Sequence, residues 1–296
     1  MKTYVITGAT GNTGKPIALG LLEQGHKVRI ISRSAEKAKE LTDKGAELFL
    51  GDTYDASLVK SAFAGADAVY AMIPFDAAAP DYTASQVQHA TAIAEGLRAS
   101  GVKYVVMLSS IGAHLTEGGG VVQGLQKTEA IFNTIDGLNA VYLRAGYFME
   151  NTMMQVGAIK FMGAMATPVR GDLKISMVAT RDIAAVALRI LSDLSFTGKS
   201  VEYVLGQRDV TYNEIAEIFG SAIGKPDLKY HTASYDEGKQ AMLHAGMGES
   251  VVDKLLEFIK ALNNGRAQEE VKRTPANTTP TSIEDFAKVF KMVFEM

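Results

Sequence analysis

A glycine-rich segment near the N-terminus has the residue types and the spacing of a turn that binds phosphate. The segment Thr7-Gly8-Ala9-Thr10-Gly11-Asn12-Thr13-Gly14 follows a short apolar run and precedes a longer one at residues 17–24, a pattern that predicts strand, turn and helix. Glycines let the backbone approach a diphosphate, and the start of the helix offers free N–H groups and partial positive charge. We therefore predict dinucleotide contacts from Gly8, Thr10, Gly11, Asn12, Thr13 and Gly14.

Two other interpretations compete with this one. The segment could be a plain glycine-rich connection between a strand and a helix, without a ligand. It could also be a nucleoside triphosphate loop, which requires GxxxxGK followed by Ser or Thr. Ala9 stands at the first glycine of that pattern and Pro16 at its metal-ligand position, so the sequence excludes the second interpretation.

The residues after the second predicted strand bear on which dinucleotide binds. An acidic side chain there would bond the ribose 2′-hydroxyl of NAD, but the chain has Ser32, Arg33 and Ser34. Arginine can pair with the 2′-phosphate of NADP through charge-assisted hydrogen bonds, and the serines add hydroxyl groups. The sequence therefore favours NADP(H), with Ser32 and Arg33 in the site; the alternative is that Arg33 is a solvated residue opening the next helix.

Further candidates lie where the third and fourth predicted strands end. Asp52 either accepts from the adenine amino group or caps the short helix that begins near residue 55, and Thr53 lies beside it. Met72, Ile73 and Pro74 close the fourth strand and predict an apolar wall for the adenosine half. Carboxyl ends of parallel strands meet at one edge of the sheet, which is where such folds bind ligands.

The elements that must position these residues alternate along the first half of the chain. Short apolar runs predict strands at residues 4–7, 28–32, 47–50, 68–72, 104–109 and 140–143, with helices among the intervals at 34–44, 81–100 and 127–134. Strands that are apolar on both faces must be buried on both, so we expect an α/β protein with a Rossmann-like, doubly wound parallel sheet.

Beyond residue 145 the alternation becomes irregular and predicts a smaller α+β substrate lobe. We assign residues 1–150 to an NADP-binding domain completed by residues 174–206, and residues 151–173 and 207–296 to the lobe. The methionines between residues 149 and 165 either line an adaptable pocket or pack a core helix, and we take the second as the default. Thr180 is expected to cap the next helix, and Thr211 with Glu214 has capping-box spacing.

Composition narrows the functional class. The 296 residues include 30 Lys and Arg against 33 Asp and Glu, and no cysteine, so neither a nucleic-acid partner nor disulfides nor thiol chemistry is expected. No apolar run is long enough for a membrane span, and no signal peptide is visible, which favours a cytoplasmic protein without membrane contact. The five histidines show no metal-binding spacing; of these, only His114 lies close enough to a strand end to overhang the site.

The chain resembles the NmrA-like branch of the atypical short-chain dehydrogenases/reductases over nearly its whole length. The resemblance rests on motifs in order: the glycine-rich turn, Gly51-Asp52, Ser109-Ser110-Ile111-Gly112, Lys127 with Glu129, Arg144, and Tyr147-Phe148-Met149-Glu150-Asn151. It implies an NAD(P)-binding Rossmann domain and a substrate lobe. Members of that family include quinone and aromatic-ether reductases, and also redox-sensing regulators without turnover.

The resemblance also assigns the nicotinamide end of the site. It implies cofactor contacts from Ser109, Lys127, Tyr147 and Phe148, with Lys127 on the ribose or acting as general acid. Catalytic short-chain dehydrogenases use a Tyr-x-x-x-Lys pair, but Gln123 stands four residues before Lys127, and glutamine has no proton to titrate.

We therefore expect any chemistry to rely on Lys127, Tyr147 or Ser110 to steer the acceptor, with hydride supplied by the cofactor. This predicts an NADPH-dependent reductase of a small quinonoid or aromatic acceptor. The alternative is a non-catalytic redox sensor that binds NAD(P) and signals through a protein partner.

Overall fold

A seven-stranded parallel sheet takes six of its strands from the N-terminal half of the chain and the seventh from residues 199–204. The computed structural model describes residues 1–296, and the sheet has the strand order β3-β2-β1-β4-β5-β6-β10 with every neighbouring pair parallel. In chain order the strands are β1 (Thr3–Ile6), β2 (Lys27–Ser32), β3 (Glu47–Leu50), β4 (Ala68–Ala71), β5 (Tyr104–Ser110), β6 (Asn139–Ala145), β7 (Tyr147–Phe148), β8 (Met165–Thr167), β9 (Ile175–Val178), β10 (Lys199–Val204), β11 (Asp209–Val210) and β12 (Tyr230–Thr232).

Eleven α-helices cover the sheet and build the C-terminal half. They are α1 (Gly14–Glu23), α2 (Ala35–Asp43), α3 (Ala56–Phe63), α4 (Tyr82–Ser100), α5 (Gln123–Asn133), α6 (Gln155–Met162), α7 (Thr180–Asp193), α8 (Tyr212–Ala222), α9 (Tyr235–His244), α10 (Glu249–Asn263) and α11 (Ile283–Glu295). None of them combines the length with the apolar character needed to cross a lipid bilayer.

Both faces of the large sheet are buried, as its apolar strands require. Along β1, Tyr4 and Ile6 belong to a cluster that includes residues of α1 and α7, whereas Val5 belongs to a cluster on the opposite face with residues of α3 and α4. All three side chains are fully buried. Strand order reverses between β1 and β4, so the crevice for a ligand lies at the carboxyl ends of these two strands.

The C-terminal half has its own core. Two small sheets, β11-β9-β7 and β12-β8, pack with α8, α10 and α11 around buried side chains that include Phe219, Leu262 and Phe290. The rings of Phe219 and Phe290 stack with centroids 4.1 Å apart. This core lies against the β5–α5 connection through Ile111, Leu115 and Val122, so it adjoins the predicted nicotinamide end of the site.

The structure confirms the predicted doubly wound sheet, and the six predicted strands agree to within two residues. The capping box of Thr211 and Glu214 at α8 is also confirmed. Of the methionines, Met149 is buried, whereas Met154 and Met162 are 62% and 65% exposed. Core packing therefore does not account for all of them.

The prediction that Thr180 caps the following helix was wrong. Helix α7 begins at Thr180 itself, and no side chain of the preceding residue caps it. Instead, the carboxylate of Glu150 accepts hydrogen bonds from the Thr180 backbone N–H at 3.0 Å and from its hydroxyl at 2.6 Å. An anion from a distant segment thus satisfies the helix start, which suits the positive end of the helix dipole.

Candidate functional site

The glycine-rich turn leaves β1 at the point where the strand order reverses. Gly8 has a positive φ of 62°, and a Cβ on Gly14 would lie 2.3 Å from the carbonyl oxygen of Gly8. The turn therefore folds back on itself so tightly that a side chain is excluded at Gly14. Thr7 fixes it to the end of β4, since its hydroxyl accepts from the Met72 N–H at 2.7 Å.

The turn carries backbone N–H groups without a protein acceptor, and part of the turn lines a cavity. No backbone carbonyl accepts from the N–H groups of Asn12 and Thr13. A cavity of about 520 Å³ lies against the turn and is bounded on its other sides by the starts of α1 and α7 and by α11; its lining includes Thr10, Gly11, Asn12, Lys15, Arg181 and Phe286. Free N–H groups beside a helix N-terminus have the chemistry that phosphate oxygens require.

The residues predicted for the adenosine end come together at the ends of β2 and β3. Arg33 is 70% exposed, and its Nη1 lies 3.7 Å from Oδ2 of Asp52, whose side chain is only 13% exposed. The Ser32 hydroxyl accepts from the Ser34 N–H at 3.2 Å, and the Ser34 hydroxyl caps α2 by accepting from the Lys37 N–H. The serines thus hold the loop, and the exposed guanidinium of Arg33 has Asp52 as its one ionic neighbour.

Asp52 does not cap the helix that follows it. Asp55 does so, because its Oδ1 accepts from the N–H groups of Ser57 and Leu58 at 2.9 and 3.1 Å. A hydrogen bond from the Ser57 hydroxyl, together with those from the capped N–H groups, holds the pKa of Asp55 below its usual value. Of the two alternatives that the sequence left open for Asp52, the capping role is therefore removed.

A histidine that sequence analysis set aside lies directly behind Asp52. His89 on α4 is buried, and its Nδ1 is 2.8 Å from Oγ1 of Thr53 and 3.4 Å from Oδ1 of Asp52. The two residues it meets are 36 and 37 positions earlier in the chain, so no local sequence pattern could have indicated this contact.

The residues predicted for the nicotinamide end lie on β5, α5 and β7. Lys127 is exposed on α5, and no hydrogen bond engages its ammonium group, whereas Gln123 one turn earlier donates its amide to the Thr116 carbonyl at 2.9 Å. Ser110 ends β5 and is half-buried. Tyr147 and Phe148 form β7 and are also half-buried; burial raises the pKa of Tyr147, and its neighbours Tyr212 and Asn151 oppose that shift.

Ser109, in contrast, has its hydroxyl committed to a buried charged cluster. It donates to Oε1 of Glu129 at 2.5 Å, and Arg144 binds both oxygens of the same carboxylate at 3.2 and 2.8 Å. Arg144 also reaches Glu270 at 3.3 Å. We call Ser109, Glu129, Arg144 and Glu270 the Arg144 cluster; within it, Ser109 retains only its backbone for a cofactor contact.

His114 is held at the edge of this cluster. Its Nε2 lies 3.1 Å from the Arg266 carbonyl oxygen and 3.2 Å from Oε1 of Glu269, and its Nδ1 is 3.9 Å from Glu270. These partners belong to the segment between α10 and α11. The contacts therefore join the β5–α5 loop to the C-terminal half.

This sheet, with its glycine-rich turn at the reversal of strand order, defines a Rossmann-like α/β protein. Residues 1–287 match the model of the NmrA-like family, and the chain belongs to that family.

Relatives of the chain include several named reductases. It is 29% identical over 254 residues to an NAD(P)H azoreductase from Xenophilus azovorans, covering 86% of this chain and 85% of the relative. It is 23% identical to quinone oxidoreductase 2 of Escherichia coli, over 97% of this chain and 98% of that protein.

Solved structures share the fold at low sequence identity. A crystal structure of an NADPH-dependent quinone oxidoreductase from Escherichia coli, complexed with NADPH, superposes with a TM-score of 0.82 at 22% identity, over 97% of this chain and 99% of that one. NmrA, a negative transcriptional regulator solved with NADP, has a TM-score of 0.68 at 17% identity, over 99% and 93% of the two chains.

Proposed function

We propose that this protein binds NADP(H) and reduces a small quinonoid or other aromatic acceptor. The observation that carries the proposal is the glycine-rich turn: the Asn12 and Thr13 N–H groups have no protein acceptor, and Thr10, Gly11 and Asn12 line a cavity of about 520 Å³. A diphosphate there would accept hydrogen bonds from these N–H groups and would lie at the positive end of the α1 dipole. The reductase and azoreductase names of the relatives support a nicotinamide cofactor of this kind.

Arg33 supports NADP(H) over NAD(H). Its side chain is 70% exposed, and its one acidic neighbour is Asp52, at 3.7 Å, so the guanidinium is available to a ribose 2′-phosphate. Met72, Ile73 and Pro74 follow β4 and would cover the adenosine. The remaining contacts are proposed from the turn residues Gly8, Thr10, Gly11, Asn12, Thr13 and Gly14, from Ser32, Asp52, Thr53 and Ser109, and from Lys127, Tyr147 and Phe148.

The nicotinamide end fits an acceptor that needs little acid catalysis. Bound NADPH would supply the hydride. The protein would orient the acceptor through Lys127, Tyr147 and Ser110, and the raised pKa of Tyr147 keeps its hydroxyl protonated as a hydrogen-bond donor. Gln123 provides no titratable proton in place of a tyrosine. Quinones and related conjugated acceptors suit such a site because water can protonate the reduced product.

A spectrophotometric assay tests the reductase directly. We expect oxidation of NADPH, followed at 340 nm, to depend on an added quinone, and azo dyes should be included because one relative is an azoreductase. Gln123 and the fold shared with the regulator NmrA favour one second candidate, a redox sensor. A sensor would bind NADPH without turnover on any acceptor and would retain a protein partner.

Calorimetry tests the role of Arg33. We expect Arg33→Ala to weaken NADPH binding by about 1–3 kcal/mol, the contribution of a charged hydrogen bond, and to leave NADH binding nearly unchanged. Lys44→Ala removes an exposed charge at the far end of α2 and serves as the matched control. Equal losses for both dinucleotides would contradict the proposed phosphate contact.

A further inference from the structure

The carboxylate of Asp52 is shared between a buried group and an exposed one. Its Oδ1 lies 3.4 Å from Nδ1 of His89, which is buried beneath the loop, and its Oδ2 lies 3.7 Å from Nη1 of Arg33 at the surface. The same histidine nitrogen is 2.8 Å from the Thr53 hydroxyl. One imidazole therefore contacts two consecutive residues at the end of β3, with a hydrogen bond to Thr53 and a longer polar contact to Asp52.

The hydrogen on His89 can be placed from these contacts. Nδ1 lies closest to the Thr53 hydroxyl, which can donate or accept, and the carboxylate of Asp52 at 3.4 Å favours the tautomer with the hydrogen on Nδ1. Burial lowers the pKa of His89, and the charges of Asp52 and Asp76 only partly oppose that effect while Arg33 adds to it. The ring is therefore neutral at neutral pH, and it orients Asp52 without cancelling its charge.

The position of the negative charge on Asp52 affects how readily Arg33 can bind a phosphate of the ligand. If Asp52 swung outward, its carboxylate would pair more closely with Arg33 and would also repel a nearby anion. Held inward by His89, it stays at 3.7 Å from a guanidinium that is 70% exposed. Arg33 then remains available to a second, incoming anion.

We propose that His89 is a positioning residue for cofactor choice: by holding Asp52 inward, it keeps Arg33 free for the 2′-phosphate and so favours NADPH over NADH. The inference rests on the proposed function, since it presumes a dinucleotide at this edge. It concerns a side chain that need not touch the cofactor, because His89 acts through Asp52 and Thr53.

Three substitutions of the histidine separate positioning from general damage. His89→Leu removes the donor, His89→Asn places an amide nitrogen near the position of Nδ1, and His89→Gln places one nearer to Nε2. We expect His89→Leu and His89→Gln to lower the NADPH-to-NADH affinity ratio by about five- to tenfold, the scale of one ordinary hydrogen bond. His89→Asn should keep the ratio within about twofold of the unsubstituted protein.

A second-site change tests whether Asp52 transmits the effect. In the His89→Leu background, Asp52→Asn removes the carboxylate that would otherwise capture Arg33, so the affinity ratio should recover. The ratio should be measured by calorimetry with NADPH and NADH, and again with 2′,5′-ADP against 5′-AMP, which lack the nicotinamide half. Thermal unfolding of each variant identifies any that fail to fold.

The outcomes distinguish this role from the proposed function. If the unsubstituted protein binds neither dinucleotide, the proposed function is wrong. If it binds NADPH but His89→Leu and His89→Gln weaken both dinucleotides equally, His89 is only structural and the inference is overturned. The same holds if Asp52→Asn fails to restore the ratio. If His89→Leu does not fold, His89→Gln and His89→Asn decide the question by the same ratio.

Discussion

Breaking the Arg144 cluster should cost more stability than breaking any exposed ion pair of this chain. The side chains of Arg144 and Glu129 are only 11% and 8% exposed, and bonds to Glu129 raise the pKa of Arg144 although burial opposes its charge. Glu129→Leu would leave the guanidinium buried and the Ser109 hydroxyl without its acceptor.

The loss of stability expected for Glu129→Leu depends on which charged groups still lie near Arg144 after the substitution. Removing one partner of a buried pair costs about 3–5 kcal/mol. Glu270 stays within 3.3 Å of Arg144 but is itself 53% exposed, so it compensates weakly. We therefore expect a loss of about 3 kcal/mol, which for a chain of this size lowers the melting temperature by about 5 °C.

Urea unfolding with a double-mutant cycle is the suitable assay. Arg144→Met should also destabilise, and the double variant Glu129→Leu/Arg144→Met should lose clearly less than the sum of the two, because neither charge is then left unpaired. The exposed pair of Lys39 and Asp43, at 71% and 60% exposure, is the control; Asp43→Ala should cost under about 1 kcal/mol. A loss of that small size for Glu129→Leu, or strictly additive losses, would refute the reasoning.

Three further predictions concern single positions. Lys127→Ala should reduce turnover more than NADPH affinity if the lysine steers the acceptor; steady-state kinetics with calorimetry would show an affinity loss alone if it only anchors the ribose. A Cβ at position 124 would lie 2.1 Å from Oε1 of Gln86, so Gly124→Ala should destabilise by about 1–3 kcal/mol in urea, with partial recovery on adding Gln86→Ala. Although burial opposes it, bonding to Ser176 and Arg273 holds the pKa of Asp209 below its usual value. The carboxylate therefore stabilises the fold at neutral pH, and this contribution is lost as the pH falls through the acid range in which first the unfolded and then the folded chain takes up the proton. Asp209→Asn should flatten the loss of stability below about pH 5, and parallel curves for the two proteins would count against the bond.

The sheet was predictable because nearly all residues of its strands are apolar, which indicates that both faces of each strand are buried. Tyr4, Val5 and Ile6 are all apolar, and in the structure they face both sides of a covered sheet. Few sheet topologies are then compatible with the alternating order of strands and helices, because the connections between parallel strands are almost always right-handed. The glycine-rich turn could likewise be placed after β1 from spacing alone.

The contacts that complete the site could not be found in this way. His89 meets Thr53 across 36 residues, and Glu150 meets Thr180 across 30, so each pair depends on how whole elements pack. A carboxylate placed by tertiary structure took over the helix start that a local threonine was expected to cap. A local sequence pattern predicts only the structure of its own segment. These contacts join segments that are distant in the chain and become neighbours only when the protein folds.

Gln123 connects the loop geometry to the kind of acceptor that we propose. Its amide donates to the carbonyls of Leu115 and Thr116 at 3.3 and 2.9 Å, so this side chain stabilises the loop before α5. The Gln123 side chain is hydrogen-bonded to that loop and has no titratable proton to give to a substrate. Oxidation of an alcohol or a sugar would need a general base at this position. Reduction of the conjugated acceptor that we propose would need neither, because Lys127, Tyr147 or Ser110 would only have to orient the acceptor and solvent would complete the protonation. A variant that restored acid–base chemistry, Gln123→Tyr, would therefore have to give up these two loop contacts, and we expect it to lose loop order before it gains any activity towards alcohols.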